Sequence, residues 1–198
     1  MIRSHEMKLI RRAAGGDRDA AGALIKGHQA SLFAYILRLS GRPELAEDVV
    51  QEAFVRVLGN LDRFDSRFRF STWLFTIGRR VYFNMCEKKK PSPDSEIVNS
   101  WEGEADRGRD GLERDEVRCL HRDALQAALM LLPEDQREVI VLFHQHEWPI
   151  WLIAEHLELP EGTVKSHLHR GRIRLREALE SQSKSGASTP HGFQEEWR

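Results

Sequence analysis

Apolar side chains recur along this chain every three or four residues and rarely alternate one by one. At about 3.6 residues per turn such spacing gathers apolar positions on one face of a helix. Strand-like alternation is not sustained anywhere and β-branched runs are few, so the chain is expected to be all-α. A first helix is predicted over residues 2–14, ended by Gly15 and Gly16. Asp17 or Asp19 caps a second, which runs to about Ser40 and is stopped by Gly41. Its apolar positions Leu24, Ile25, Leu32, Phe33, Ile36 and Leu37 share one broad face. Pro43 fits the first turn of a third helix, expected from Glu44 to about Leu61. Residues 62–70 read as a loop, and Ser71 or Thr72 as the cap of a fourth helix reaching about Glu87. Leu74, Ile77, Val81 and Met85 form its predicted core stripe.

Residues 91–111, PSPDSEIVNSWEGEADRGRDG, have no usable period and read as a flexible acidic linker. The periodicity then resumes. Helices are expected over 112–132, from Pro133 to about His146, and from Ile150 to Glu158, with Trp148 and Pro149 as a break. After the turn LPEG, Thr163 is expected to cap a long helix to about Glu180. A short helix, a tight turn and a longer basic helix make the helix-turn-helix layout, and Ala154 stands where two such helices need a small side chain. The domains predicted are 1–90 and 112–180, two small helical bodies, with 91–111 between them and a disordered tail over 181–198.

Two faces depart from a simple core-and-solvent pattern. In ELAEDVVQEAFVRVLGNL, Leu45, Val49, Ala53 and Val57 form the buried stripe, but the opposite face mixes Glu47, Asp48, Gln51 and Glu52 with Val55 and Leu58. That face reads either as a docking surface for a partner rich in basic residues or as a plain solvated one. Over residues 64–90, rings (Phe64, Phe68, Phe70, Trp73, Phe75, Tyr82, Phe83) alternate with cations (Arg67, Arg69, Arg79, Arg80, Lys88, Lys89, Lys90). Rings stack on unpaired bases and cations track phosphates, so the stretch suits single-stranded nucleic acid; a core helix with a charged outer face is the alternative. Trp73, Arg80 and Asn84 share one exposed edge of the fourth helix, flanked by Arg79 and Phe83. In the last helix Val164, Leu168, Gly171, Leu175 and Leu179 face inward, leaving Lys165, Ser166, His169, Arg170 and Ile173 outward, where a recognition helix enters the major groove.

Charge sharpens this division. Residues 1–90 hold 17 Lys/Arg against 10 Asp/Glu, residues 91–132 hold 5 against 10, and residues 133–180 hold 6 against 9, for a net charge of −1 over the chain. The N-terminus lacks the apolar core of a signal peptide and no run is apolar enough to cross a bilayer, so a cytoplasmic protein is expected. The 2 cysteines, Cys86 and Cys119, lie far apart and read as free thiols. His144 and His146, and His167 and His169, are two apart on helices and point to different faces, which disfavours chelation; no metal site is predicted. No phosphate loop, nucleophile elbow or zinc-protease motif is present, so neither a nuclease-like nor a hydrolytic enzyme is indicated. A stand-alone helix-turn-helix regulator is the other reading, and it leaves the first domain unexplained.

The stretches GDRDAAGALIKGH, ELAEDVVQEAFVRVLGNLDRFD, FSTWLFTIGRR, LPEDQREVIVL and LPEGTVKSHLHRGRIRLREAL, in that order and with that gap, resemble bacterial RNA polymerase sigma factors of the extracytoplasmic-function type. The resemblance implies a non-catalytic, cofactor-free subunit that binds core RNA polymerase and promoter DNA and acts as a monomer on the polymerase. It implies that Asp48, Gln51, Glu52 and Val55 dock on the β′ clamp helices, and that the C-terminal domain meets the β flap. It implies that Phe64, Arg67, Phe68, Trp73, Arg79, Arg80, Asn84 and Lys88 melt and hold the −10 element, with a flipped base against the loop before Trp73. It implies that Lys165, Ser166, His169, Arg170 and Arg172 read the −35 element. Members of this family are often held by an anti-sigma factor, and the linker would pass toward the polymerase active site. Three positions depart from the pattern: Glu158 replaces a usual Gly in the turn, at an expected backbone cost of about 1 kcal/mol; His167 replaces a common Arg; and Arg79-Arg80 stand where a residue followed by Asn is frequent.

Overall fold

The computed structural model describes residues 3–88 and 112–184, with residues 112–120 and 183–184 described as helix only. The expectations for residues 91–111, for the tail beyond residue 184, for Lys89 and Lys90, and for the Cys119 side chain lie outside the described residues. The chain divides into two compact units, Met1–Val98 and Asn99–Arg198. Every regular element among the described residues is helical.

In the first unit α1 (Arg3–Ala14), α2 (Arg18–Ser40), α3 (Pro43–Leu58) and α4 (Phe70–Lys88) pack around α2. Asp17 caps α2 as predicted, its carboxylate accepting from the Asp19 and Ala20 N–H groups, and Gly41 closes it in the left-handed conformation. The third helix stops at Leu58, three residues short of the expected end. Gly59 and Asn60 are poor helix formers, and the Asn60 side-chain amide donates to the Arg56 carbonyl at 2.8 Å, satisfying a group the helix end leaves open. A 3₁₀ turn, Leu61–Arg63, follows and buries Leu61.

The start of α4 also differs from expectation. Phe70 opens it, and neither Ser71 nor Thr72 is its cap. Phe70 is 1% exposed, so its burial draws the chain into helix at least two residues early. The core stripe of α4 is Phe70, Leu74, Phe75, Gly78, Val81 and Tyr82, while Ile77 and Met85 are only half-buried. Packing against two helices explains the rotation. At Gly78 the two helices approach closely, and a Cβ there would lie 2.7 Å from Leu32 Cδ1 of α2 and push that side-chain tip aside, while Phe75 stacks on Tyr35 of α2 with ring centroids 4.9 Å apart.

The second unit comprises α5 (Leu112–Met130), α6 (Glu134–Ile140), α7 (Ile150–Leu157) and α8 (Glu161–Lys184), with α8 packed on the other three. The expected single helix to His146 instead becomes a π turn at Val141–Gln145, where the His146 N–H donates to the Val141 carbonyl. Helix α5 ends at Met130. Its end is held by the buried Arg137 guanidinium, which donates to Leu129 O at 3.0 Å and Met130 O at 3.4 Å in the last turn and to Leu132 O at 2.9 Å just beyond it. Thr163 does not cap α8; it lies inside its first turn, and the Pro160 carbonyl accepts from the Thr163 and Val164 N–H groups. Glu158 is left-handed, at φ 57° and ψ 40°, with its N–H donating to Glu155 O and the Leu159 N–H to Ala154 O. This is a helix terminus that normally favours glycine.

Candidate nucleic-acid interface

Residues 64–69 connect the 3₁₀ turn to α4, and several groups in that loop are held. Arg67 donates from Nε and Nη2 to both Asp65 oxygens, at 2.6–3.1 Å, and its N–H donates to the same carboxylate. The bonds from Arg67 hold the Asp65 carboxyl below its ordinary range and raise the Arg67 guanidinium. Arg3 of α1 donates to the carbonyls of Ser66 and Arg67, each at 3.1 Å. Phe64 packs on Phe70 and on Trp73, with centroids 5.7 and 5.3 Å apart. Behind them the His28 ring lies 5.1 Å from Phe70, with His28 Nε2 2.9 Å from Glu6 Oε1. Burial pushes the His28 pKa down, against the raising effect of Glu6.

The sequence-predicted set therefore divides. Phe64 and Trp73 are half-buried in an aromatic cluster that seats the loop, while Phe68 projects, 47% exposed, with Arg69 exposed beside it. On α4, Arg80 and Asn84 form an exposed row, and the Arg79 guanidinium lies 4.7 Å from the Phe83 ring centroid along its flank. Phe70, Phe75 and Tyr82, read from sequence as rings available for stacking, are core residues. A fixed loop with one projecting ring, beside a row of a cation and an amide, can receive an unstacked base and its phosphate with little further ordering.

The outer ridge of α3 carries the four predicted docking residues. Asp48, Gln51, Glu52 and Val55 line a groove of about 410 Å³ whose other wall is Met85 and Lys88 of α4. Lys88, expected on DNA, thus lines the same groove as the residues expected to dock. On the far side of the ridge Glu47, Val50 and Gln51 face Ile25, Lys26, Gln29 and Phe33 of α2 across a second groove of about 590 Å³. Val55 is 67% exposed on this acidic ridge, and Glu52 accepts from Arg56 at 2.7 Å.

In the second unit α7 and α8 flank the Glu158 turn as the sequence predicts, with Ala154 buried between them. Val164, Leu168, Gly171 and Leu175 face the core, and Leu179 is half-buried. Lys165, Ser166, His169, Arg170 and Ile173 are exposed on the outer face. Ser166 donates its hydroxyl to Gly162 O and Arg170 its Nε to Ser166 O, both within α8, so these side chains lie along the helix rather than against a neighbour. Arg172 is placed differently. Its Nε donates to His144 Nε2 at 3.2 Å and its guanidinium lies 5.2 Å from the Phe143 ring centroid, both in the π turn. Burial, helped by Arg172, pushes the His144 pKa down to about 4, so this ring is neutral and can accept. Sequence periodicity could not place Arg172, because its partners sit on another helix.

Among the described residues no group of His, Cys, Asp and Glu is arranged to hold a metal ion, and no helix is long and apolar enough to cross a membrane.

The family described as Sigma-70 region 2 matches residues 24–91, and the family described as Sigma-70, region 4 matches residues 122–175. The chain is similar to the ECF RNA polymerase sigma factor SigW of Bacillus subtilis, 36% identical over 179 residues, covering 87% of this chain and 95% of the relative. It is also similar to the ECF RNA polymerase sigma factor SigL of Mycobacterium tuberculosis, 31% identical over 176 residues, covering 88% and 97%. Among solved structures it is similar to the sigma factor RpoE from Bartonella quintana in complex with the anti-sigma factor NepR. That likeness has a TM-score of 0.66 at 26% identity and covers 80% of this chain and 96% of that one. CnrH, solved with the cytosolic domain of CnrY, gives a TM-score of 0.64 at 26% identity, covering 88% and 97%.

Proposed function

The chain belongs to the extracytoplasmic-function RNA polymerase sigma factors and directs promoter-specific transcription initiation by RNA polymerase; from that premise we propose how its surfaces divide the work. The α3 ridge, with Asp48, Gln51, Glu52 and Val55, docks on the β′ clamp helices of core polymerase, and Lys88 belongs to the same groove. The loop over 64–69 and the outer row of α4, with Phe68, Arg80 and Asn84, hold the melted −10 element, while Phe64, Arg67 and Trp73 keep the loop in shape. The outward face of α8, with Lys165, Ser166, His169 and Arg170, reads the −35 element in the major groove, and the second unit rests on the β flap. The subunit acts by binding alone, in the cytoplasm where the polymerase works, and the polymerase performs the chemistry. Because RpoE and CnrH were solved with partners, an anti-sigma protein that covers these surfaces is the regulator we assign.

The observation that carries this division is Val55. It is 67% exposed on a groove wall beside Asp48 and Glu52, with Met85 on the opposite wall, and a partner with an apolar patch ringed by Lys or Arg would bury it and meet the acids. Changing Asp48 and Glu52 together to Lys should weaken binding to core polymerase about a hundredfold, with helix content retained and melting temperature lowered only slightly by loss of the Glu52–Arg56 pair. Unchanged core affinity would remove docking from α3. Failure of the intact chain to restore initiation by core polymerase at any promoter of a genomic library would overturn the division as a whole.

A further inference from the structure

Helix α8 carries arginines at every second position, Arg170, Arg172, Arg174 and Arg176. Read from sequence they make one basic helix, but the fold gives them different work. Helix α8 approaches α6 closely at Gly171, where a Cβ would lie 2.9 Å from Ile140 Cγ1 and 3.4 Å from the Gln136 carbonyl. Arg172 and Arg174 flank that contact and bind two ends of the same partner segment. Arg174 Nη1 donates to Oε1 of the buried Gln136 at 2.9 Å, and Arg172 Nε donates to His144 at 3.2 Å while its guanidinium faces Phe143. At about 100° per residue, with Gly171 set at 0°, Arg172 lies near 100° and Arg174 near 300°. Between them, from about 120° to 260°, fall Lys165, His169, Ile173, Ser166 and Arg170, the whole outward face.

We propose that Arg172 and Arg174 are positioning residues that set the roll of α8 about its own axis, and thereby which side chains reach the base edges of the −35 element. Val164, Leu168 and Leu175 seat α8 on the core, and Gly171 adds a close contact without side-chain grip, so the fine roll of the helix is left to the groups on either side of that contact. The two arginines resist rolling in opposite directions, because turning α8 either way lengthens one of the two bonds. The π turn contributes by presenting Phe143 and His144 together to one guanidinium, a planar group that can face a ring and donate to a neighbour at once. This inference rests on the −35 reading of α8, and it removes Arg172 from the residues that touch DNA.

The test uses full-length protein assembled with core polymerase on a promoter library randomised in the −35 element, together with the salt dependence of complex formation. Arg170→Ala should lower the log–log salt slope by about one, as expected for a lost phosphate contact. Arg172→Ala, Arg174→Ala and His144→Ala should leave that slope unchanged and instead alter or flatten the base preference. Arg172→Ala combined with His144→Ala should do no more than either alone. Arg172→Lys guards against misfolding: it keeps the charge but cannot both face the ring and donate to His144, so it should alter the preference as Ala does. A drop of about one in slope for Arg172→Ala, with wild-type preference retained by Arg172→Lys, would make Arg172 a phosphate contact and overturn the proposal. If Lys165→Ala and Arg170→Ala change neither slope nor preference, the −35 reading itself fails, and this inference with it.

Discussion

The two units keep their shape by different means. In the first, the described core is almost entirely apolar: Leu24, Leu32, Tyr35, Ile36, Leu39, Val49, Ala53, Val57, Phe70, Leu74 and Phe75 are sealed from water, and Ser40 is the one buried polar residue among those described. The second also buries Gln126, Gln136, Arg137, Glu138 and His156. A small domain cannot enclose much apolar area, and this one adds directed polar bonds to what packing supplies. Directed bonds specify geometry closely, which suits the −35 reading proposed for the outward face of α8. They also fail abruptly, since a buried polar group that loses its partner keeps its desolvation cost.

The strongest way to break this contrast is Arg137→Ala. It leaves the end carbonyls of α5 without their donor and should destabilise the second unit by about 3 kcal/mol. Hydrogen exchange should then lose protection in α5, α6 and α8 while α2, α3 and α4 stay protected. Equal loss in both units would show that they do not hold themselves independently.

A pair of substitutions at the two close crossings comes next. Gly171→Ala meets Ile140 Cγ1, on a β-branched side chain with little freedom, and a backbone carbonyl beyond it. Gly78→Ala meets the tip of Leu32, which can turn aside at some cost. Since alanine gains about 1 kcal/mol over glycine inside a helix, Gly78→Ala should be near neutral and Gly171→Ala destabilising by about 1–2 kcal/mol. Denaturant midpoints of the two variants check the order, and a larger loss at Gly78 would reverse it.

The smallest expected effect is that of pH. Burial pushes His146 from 6.5 to about 4, as it does His144. The unfolded chain therefore takes up these protons first. The stabilising contribution is complete above about pH 6.5 and is lost as pH falls toward 4. After allowance for partial exposure, His146 contributes about 1–2 kcal/mol over that window. Melting of the second unit should fall across this range, and His146→Phe should flatten the fall. His28 in the first unit is shifted in the same direction but sits beside Glu6, so the first unit should respond less.

Much of this was legible in the residues. Periodicity located α2, the α3 stripe and the inward positions of α8; Asp17 and Gly41 announced the ends of α2, and the left-handed residue of the turn fell on Glu158. These features are local, since each depends on side-chain spacing or backbone preference within one turn of helix. The acidic-aliphatic ridge with Val55 was visible for the same reason.

What escaped was set between helices. The core face of α4 turned toward Phe75, Gly78 and Tyr82 because α2 and α3 both press on it. Arg137 is one more charge in a polar stretch until the fold puts it under the end of α5, and Lys88 continues a basic run until it faces Asp48 and Glu52. The alternating arginines of α8 look equivalent in one dimension. The sequence by itself determined where the helices lie and which α8 side chains point outward, because helical geometry repeats with the chain. Only the tertiary structure decided that Arg172 and Arg174 are held by α6 and its π turn while Arg170 is not, because a guanidinium takes the acceptor within reach and that acceptor is supplied by a different helix.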